Sequence, residues 1–299
     1  MGGDPLTHFD YPMVSNFNLT ATEDWSFDGV STDGTMGISI FFSRGTVAGH
    51  TAAQRLLIAA RAPGQTERGT WANSTSGLNW TFEVSNDYKY TVMTIDSKTV
   101  KGTYTLESIS PAVYPNGRIY PDRKGNPLFA PFLYWVENVP VGLVQTNLTI
   151  LGTLFNLNGI GGREHNWNSD SWGAISARWD MVRGAVGPYN FIAWTYESRF
   201  DGQTYFSIVL MKGQDVIFRT QQPELAVTDT YGSIKHKMDG PVHLSSDPKS
   251  PLQLPESSFT GYILDLVSPT TKESWRFEVD FNKPVYWFAA TKMRKLADS

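Results

Sequence analysis

The chain has 299 residues, of which 40% are hydrophobic and 18% are charged, and its formal net charge at pH 7 is -4. This balance is typical of a folded globular protein, and the lack of a basic stripe argues against a nucleic-acid partner. No run of about 18 apolar residues occurs, so we expect no membrane-spanning helix. The chain has no cysteine, which excludes disulfides, thiolate nucleophiles and cysteine-bound zinc.

The cellular compartment is left open by the sequence. The first residues lack the basic and then apolar region of a signal peptide, which favours the cytoplasm. Four glycosylation sequons nevertheless permit a secreted protein whose signal peptide has been removed. They begin at Asn18, Asn73, Asn79 and Asn147.

Alternation of apolar and polar residues recurs along the chain and predicts antiparallel β-strands. Residues 51–61 form the only segment with a helical pattern, and we expect a short helix there. The predicted strands are residues 78–84, 90–95, 101–109, 132–139, 144–157, 172–182, 189–199, 205–210, 216–220, 262–267 and 275–281.

The connections between these strands suggest an all-β fold with two modules and little helix. Lys212-Gly213-Gln214 predicts a hairpin turn, and residues 114–131, rich in proline and glycine, predict a lid or rim. Residues 228–256 form a second loose stretch. Because a predicted strand ends just before a polar cluster, we place an N-terminal β module at 1–157 and a C-terminal module at 158–299.

The polar cluster is the run Gly-Ile-Gly-Gly-Arg-Glu-His-Asn-Trp at residues 159–167. If this run enters a strand, Arg163, His165 and Trp167 share one face and the residues between them share the other. The first face then presents a hydrogen-bond donor, an imidazole and an aromatic wall to one ligand. The competing interpretation is a structural network that satisfies buried polar groups.

The charged residues of this run are our candidate catalytic groups. His165, with Glu164 or Asp180 nearby, is suited to act as a general acid because the pKa of free histidine is about 6.5. We expect Glu164 and His165 to orient or protonate a substrate oxygen, with Arg163 as a further donor. Replacement of His165 by Ala is expected to lower the rate by about 10- to 10⁴-fold.

Aromatic residues are dense on the two predicted strands that follow the cluster. We predict that they line an enclosed pocket for an apolar ligand, although an ordinary hydrophobic core would show the same pattern. The candidate substrate-binding residues are Trp167, Trp172, Arg178, Trp179, Trp194, Tyr196 and Trp287.

Motifs for other chemistries are absent from the sequence. The histidines lack metal-binding spacing, and neither a Gly-x-Ser-x-Gly elbow nor a glycine-rich phosphate loop occurs. We therefore expect no metal ion and no cofactor. A pair of carboxylates for glycoside cleavage is not excluded by the sequence.

Residues 161–167, followed by Trp172-Gly173 at the start of a predicted strand, resemble a family signature. The family comprises lipocalin-like proteins related to carotenoid hydratases of the hydroxyneurosporene synthase type, and its fungal branch contains Diels–Alderases. The resemblance implies two β-barrel or β-sandwich modules with a ligand pocket between or within them. The resemblance further implies that the C-terminal module, residues 158–299, is a lipocalin-like β-barrel.

The resemblance also implies a cofactor-free pericyclase of secondary metabolism, which closes a ring by a [4+2] or hetero-Diels–Alder reaction. The chain length and the sequons are similar to those of hetero-Diels–Alderases of tropolone–sesquiterpenoid pathways. A quinone methide and humulene would be the reactants in that case. Binding energy would hold two apolar reactants at near-attack distance, and a donor would stabilise developing charge.

Three other functions compete with this interpretation. The same pocket would serve a non-catalytic lipocalin-like carrier of a hydrophobic metabolite. A polyene hydratase would add water to a similar ligand. A carbohydrate-binding or hydrolytic β-sandwich would need tryptophans in an open groove and two carboxylates about 5–9.5 Å apart.

Overall fold

A computed structural model provides the structure of the chain. It describes residues 6, 9–14, 20–45, 80–223, 225–238 and 259–281, together with the strand backbone at 55–61, 68–73 and 79. Nearly all of the regular structure is antiparallel β-sheet, as predicted. In the described part of the chain, no helix is both long and apolar enough to cross a bilayer.

The first sheet, sheet A, contains eleven strands in the order β4-β3-β2-β1-β11-β9-β7-β6-β5, with β8 and β10 paired to β9. Its strands are β1 (Thr22–Ser31), β2 (Gly37–Gly45), β3 (Arg55–Arg61), β4 (Arg68–Asn73), β5 (Asn79–Val84), β6 (Tyr90–Asp96), β7 (Val100–Ser108), β8 (Leu128–Ala130), β9 (Leu133–Ile150), β10 (Thr153–Phe155) and β11 (Asn158–Asn168).

Two smaller sheets follow in the chain. Sheet C has the strand order β12-β13-β14-β15, sheet D has the order β16-β17-β18, and a single helical turn, α1, precedes them. These elements are α1 (Trp172–Ile175), β12 (Ser176–Val186), β13 (Tyr189–Ser198), β14 (Thr204–Lys212), β15 (Asp215–Thr220), β16 (Tyr231–Lys237), β17 (Gly261–Ser268) and β18 (Glu273–Asp280).

Sheet A curls around its own apolar interior. Phe42 of β2 and Trp80 of β5 come from distant positions in the strand order, yet their ring centroids are 4.2 Å apart. β6 shows the alternation that produces such an interior, since Thr91, Met93 and Ile95 are buried and the residues between them are exposed. A curled sheet of this kind encloses side chains on its concave face.

Sheet C lies between sheets A and D and is buried on both faces. Ile192 and Trp194 of β13 pack with Trp135 of sheet A. Phe191 and Ala193, on the other face of β13, pack with sheet D in a separate cluster. Strands that are covered on both faces read as continuous apolar runs, which accounts for the sequence Phe-Ile-Ala-Trp at 191–194.

A short helix was predicted at residues 51–61, and this prediction is wrong for residues 55–61, which the structure describes. Residues 55–61 form strand β3, which pairs with β2 on one side and β4 on the other. Alanine and leucine favour helix in isolation, but two hydrogen-bonded neighbours override that weak preference. Residues 51–54 lie outside the described part of the chain.

Two further local predictions need correction, and one is confirmed. Trp172-Gly173 was expected to start a strand but lies in α1, and β16 falls within the stretch at 228–256 that was expected to be loose. The predicted hairpin joins β14 to β15 through Gly213 and Gln214. Gly213 has φ +60, a value that glycine adopts without steric cost.

The proline-rich segment 114–131 is anchored to both sheet A and sheet C. The Tyr114 side chain is fully buried in a cluster with Phe9 and Trp167. The Pro115 carbonyl accepts a hydrogen bond of 2.7 Å from Ser207 Oγ on β14. The segment therefore contributes to the core as well as to the surface.

The expected module boundary falls between residues 157 and 158. β11, which follows this boundary, lies within sheet A between β1 and β9. Sheets C and D are formed entirely by residues that follow β11. The division of the chain into two modules stays a prediction.

Candidate functional site

The polar run of the sequence forms strand β11, near the middle of sheet A. β11 pairs with β1 on one side and β9 on the other, and residues 161–168 are all buried. The side chains alternate between two faces. Arg163 and His165 lie on the face lined by the interior of sheet A, and Glu164 points towards Trp135, which packs with sheet C.

The glycines that precede this run allow neighbouring groups to approach the backbone closely. A Cβ atom on Gly161 would lie 2.0 Å from the Asp28 carbonyl oxygen of β1. A Cβ atom on Gly162 would lie 1.9 Å from Nη1 of Arg183. The absence of side chains at these positions therefore lets Arg183 lie across β11.

We expect Gly162→Ala to destabilise the fold by about 1–3 kcal/mol, the usual effect of inserting a methyl group into a filled space. The new methyl group must displace the Arg183 guanidinium from its carboxylate partners. Urea denaturation measures the effect, and Gly173→Ala is the matched control because its Cβ would meet nothing within 4 Å. Equal stability of the two variants would contradict the close approach of Arg183.

Arg163 is the most unusual side chain on the inner face. Its guanidinium carbon lies 5.3 Å from the ring centroid of Phe27 and 5.3 Å from that of Phe82, and the side chain is 0% exposed. Its Nη2 atom pairs with the carboxylate of Asp10. Among the described residues, Nε and Nη1 have no hydrogen-bond partner. The arrangement leaves buried donors beside two aromatic rings.

Burial lowers the pKa of Arg163 to about 9, so the guanidinium still carries its charge at neutral pH. A buried cation with unused donors is costly unless some partner satisfies them. The two flanking rings supply cation–π attraction but accept no strong hydrogen bond. An oxygen acceptor placed beside Nε or Nη1 would satisfy these donors.

A β-bulge lies directly opposite Arg163. Arg163 pairs with Val139 and Glu164 pairs with Glu137, which leaves Asn138 of β9 as an extra residue. Asn138 Nδ2 donates a hydrogen bond of 3.0 Å to Oδ1 of Asp10. Bulges redirect side chains and are common beside active sites, and this one helps to hold the acid that pairs with Arg163.

His165 is held by acceptors on both of its ring nitrogens. Nδ1 contacts the Phe9 carbonyl oxygen, and Nε2 lies 3.0 Å from Oε1 of Glu23. The ring stacks on Trp25 with a centroid distance of 4.5 Å. Glu23 also forms an ion pair with Arg44 at 3.1 Å. The geometry is that of a buried network, the alternative that the sequence left open.

The opposite face of β11 carries a cluster of charges, here called the carboxylate cluster: Asp28, Glu137, Glu164 and Arg183. Nη1 of Arg183 donates to Oε2 of Glu137 at 2.9 Å, and its Nε lies 3.0 Å from Oδ2 of Asp28. Glu164 accepts a hydrogen bond of 3.0 Å from Nε1 of Trp135. One guanidinium thus faces three carboxyl groups.

Burial raises the pKa of all three carboxyl groups of the carboxylate cluster, most strongly that of Glu137, and the charge of Arg183 opposes this rise. Burial lowers the pKa of Arg183, but the surrounding carboxylates outweigh it and raise that pKa above its usual range. Since Glu137 and Glu164 are also neighbours, the pair binds protons more readily than free carboxylates do.

These pKa directions predict how stability depends on pH. Because the carboxyl pKa values are raised by folding, the folded state binds more protons, and stability falls as pH rises above about 4.5, the ordinary glutamate value. Glu164→Gln removes one of these groups, so we expect stability to decrease less steeply with pH in this variant. Urea denaturation at pH 5 and pH 8 measures the free energy of unfolding, and Glu83→Gln, at an exposed position, is the control. An unchanged slope in Glu164→Gln would contradict the prediction.

The structure places Glu164 and His165 on opposite faces of β11, so it does not bring them to a common point. Asp180, expected near His165, instead lies 3.0 Å from Nε2 of His236 and accepts a hydrogen bond from Tyr262. The catalytic roles assigned to Arg163, Glu164 and His165 from the sequence stay predictions.

The predicted substrate-binding residues fall into three places. Trp167 stacks on Tyr134 on the inner face of sheet A, with a centroid distance of 5.4 Å. Trp194 and Tyr196 lie with Phe129 and Trp135 between sheets A and C. Trp172, which donates to Asp24 at 3.1 Å, borders that second group. Arg178 and Trp179 are exposed on β12, and Trp287 lies outside the described residues.

Sequence reasoning did not identify several partners at these sites. Asp10 and Phe82 contact Arg163 from separate parts of the chain, and Arg183 reaches the carboxylate cluster from β12. One available signal was the sequence Val182-Arg183-Gly184, where a charged residue interrupts an apolar strand. The described residues contain no group of three side chains placed to bind a metal ion.

Comparison with known proteins identifies the family. The Diels-Alderase-like family model matches residues 2–67 and 47–293. Diels-Alderase ffsF of Aspergillus flavipes is 30% identical over 93% of this chain and 70% of its own length. Diels-Alderase cheD of Chaetomium globosum is 29% identical over 92% of this chain and 68% of its own length. The chain covers 66% of Diels-Alderase poxQ of Penicillium oxalicum, at 27% identity.

Solved structures show the same fold. The crystal structure of CghA with Sch210972 aligns with a TM-score of 0.71 at 19% identity, covering 87% of this chain and 76% of CghA. Kievitone hydratase from Nectria haematococca aligns with a TM-score of 0.50 at 10% identity, covering 88% of this chain and 79% of the hydratase. The enzyme names of the curated relatives support the predicted pericyclase function. On the family match and these relatives, the chain belongs to the Diels-Alderase-like family.

Proposed function

We propose that this chain catalyses a [4+2] cycloaddition of an apolar substrate, with Arg163 as a hydrogen-bond donor to an oxygen of the electron-poor partner. The observation that carries the proposal is the buried Arg163 guanidinium, whose Nε and Nη1 have no partner among the described residues. Phe27 and Phe82 would supply apolar walls on either side of it.

The chemistry of a cycloaddition suits this site. Two σ bonds form as three π bonds become one, and no proton, electron pair or leaving group has to be supplied. The reaction therefore needs no cofactor for its atom balance. Confinement removes the entropic cost of bringing the diene and dienophile together, and it can contribute several kcal/mol.

Arg163 would act on the electronic part of the barrier. Charge develops on the dienophile carbonyl oxygen as the bonds form, and a donor fixed beside that oxygen stabilises the transition state more than the ground state. The effect is strengthened where water is excluded, as it is around this fully buried side chain. A hetero-Diels–Alder reaction of a quinone methide would use the same donor on its reacting oxygen.

The direct test is to measure turnover of a substrate without any added cofactor or metal ion. Dialysed protein is mixed with a linear triene that carries an enone, and products are followed by chromatography and mass spectrometry. We expect a cycloadduct of unchanged mass and one dominant stereoisomer, formed faster than with heat-denatured protein. Binding without conversion would instead indicate a carrier, and a product heavier by one water would indicate a hydratase.

A further inference from the structure

The chain passes from sheet A to sheet C at residues 169–175. A cavity of about 360 Å³ opens there beside α1. The lining residues come from the ends of four elements and are Phe132, Ser169, Asp170, Ala174, Ile175, Arg199 and Phe200. We call it the rim pocket.

Two exposed aromatic rings form one wall of the rim pocket. Phe132 and Phe200 are 44% and 65% exposed, and they meet edge to face with centroids 4.7 Å apart. Phe132 has φ +66, a conformation that a bulky residue adopts only when its surroundings hold it there. The two rings form one apolar patch, whereas exposed apolar residues on most protein surfaces are scattered singly.

Arg199 supplies a fixed positive charge at the same pocket. Its backbone N–H donates to the Ile175 carbonyl at 2.8 Å, and its Nε donates to the Ser176 carbonyl at 2.7 Å. The Ile175 carbonyl also accepts a hydrogen bond from Tyr196, which anchors this end of α1 to β13. Among the described residues, the Nη atoms of Arg199 form no hydrogen bond. A guanidinium oriented through Nε presents those atoms to a carboxylate with little loss of entropy.

From this geometry we infer that the rim pocket binds a conjugated carboxylic acid, with its carboxylate on Arg199 and its unsaturated chain against Phe132 and Phe200. Asp170 lines the same pocket, and its Oδ1 accepts the Ser171 N–H at 2.7 Å. The negative charge of Asp170 disfavours a second acidic group on the ligand. The inference stands apart from the proposed cycloaddition and does not depend on it.

The test uses cis-parinaric acid, a fluorescent polyene carboxylate, and its methyl ester as a neutral probe. We expect the wild-type protein to bind the acid more tightly than the ester. Arg199→Gln should weaken binding of the acid by about tenfold or more, as expected for loss of a charge-assisted hydrogen bond, and leave the ester unchanged. Asp170→Asn should strengthen binding of the acid.

The remaining variants separate recognition from folding. Phe200→Ala, at an exposed position, should weaken both probes, and Arg199→Lys, which keeps the charge without the guanidinium geometry, should fall between wild type and Arg199→Gln. Near-ultraviolet circular dichroism verifies that each variant is folded. Equal affinity of the acid and the ester for wild type, or an unchanged affinity of folded Arg199→Gln for the acid, would overturn the inference.

Discussion

Arg163→Met is expected to lower kcat/KM for the cycloaddition by about 10²- to 10³-fold, the effect of removing one donor to a developing oxyanion. Methionine keeps an unbranched apolar side chain between Phe27 and Phe82, so the walls of the site are retained. We therefore expect the ratio of stereoisomers to change little. Turnover assays with product analysis measure both quantities.

The design has to account for Asp10, because Arg163→Met alone leaves its carboxylate without the guanidinium. A buried carboxylate that loses its ion-pair partner destabilises the fold. The informative comparison is thus Asp10→Asn against the double variant Asp10→Asn, Arg163→Met. If these two folded proteins have the same kcat/KM, Arg163 does not donate to the substrate and confinement alone explains the rate.

The two faces of the site could be assigned from the sequence, because alternation of side chains along a strand is a local property, although the predicted strands did not include residues 158–168. The order of residues from Arg163 to Trp167 assigns Arg163 and His165 to one face and Glu164 to the other, and the structure has this arrangement. The sequence also predicts a strand with dense aromatic residues at β13, although it does not distinguish the wall of a pocket from a hydrophobic core.

The partners of those residues could not be predicted, because they come from distant parts of the chain. Glu23 and His165 are 142 residues apart, and Asp10 and Arg163 are 153 apart. Strand pairing sets such contacts, and no local pattern reveals which strands become neighbours. The error at β3 has the same origin, since alanine-rich residues that favour helix alone are held extended by β2 and β4.

The second large effect is expected from Arg183→Met, which should destabilise the fold by about 3–5 kcal/mol at neutral pH. The variant leaves Asp28, Glu137 and Glu164 without the one cation of the carboxylate cluster, and burial already disfavours their charged forms. Urea denaturation measures the loss. Arg219→Met is the control, since among the described residues that guanidinium forms a single, long hydrogen bond of 3.4 Å to the Gly117 carbonyl.

The pH dependence identifies the cause of this loss. Removal of Arg183 takes away the charge that opposes the rise in the carboxyl pKa values, so these pKa values should rise further in the variant. The stability difference between wild type and Arg183→Met should therefore shrink as pH falls towards about 4.5, where the carboxyl groups take up protons in both proteins. Addition of Glu137→Gln and Glu164→Gln to Arg183→Met should recover part of the lost stability at pH 8. A difference that stays constant from pH 5 to pH 8, with no recovery in the triple variant, would show that Arg183 contributes through packing rather than through its charge.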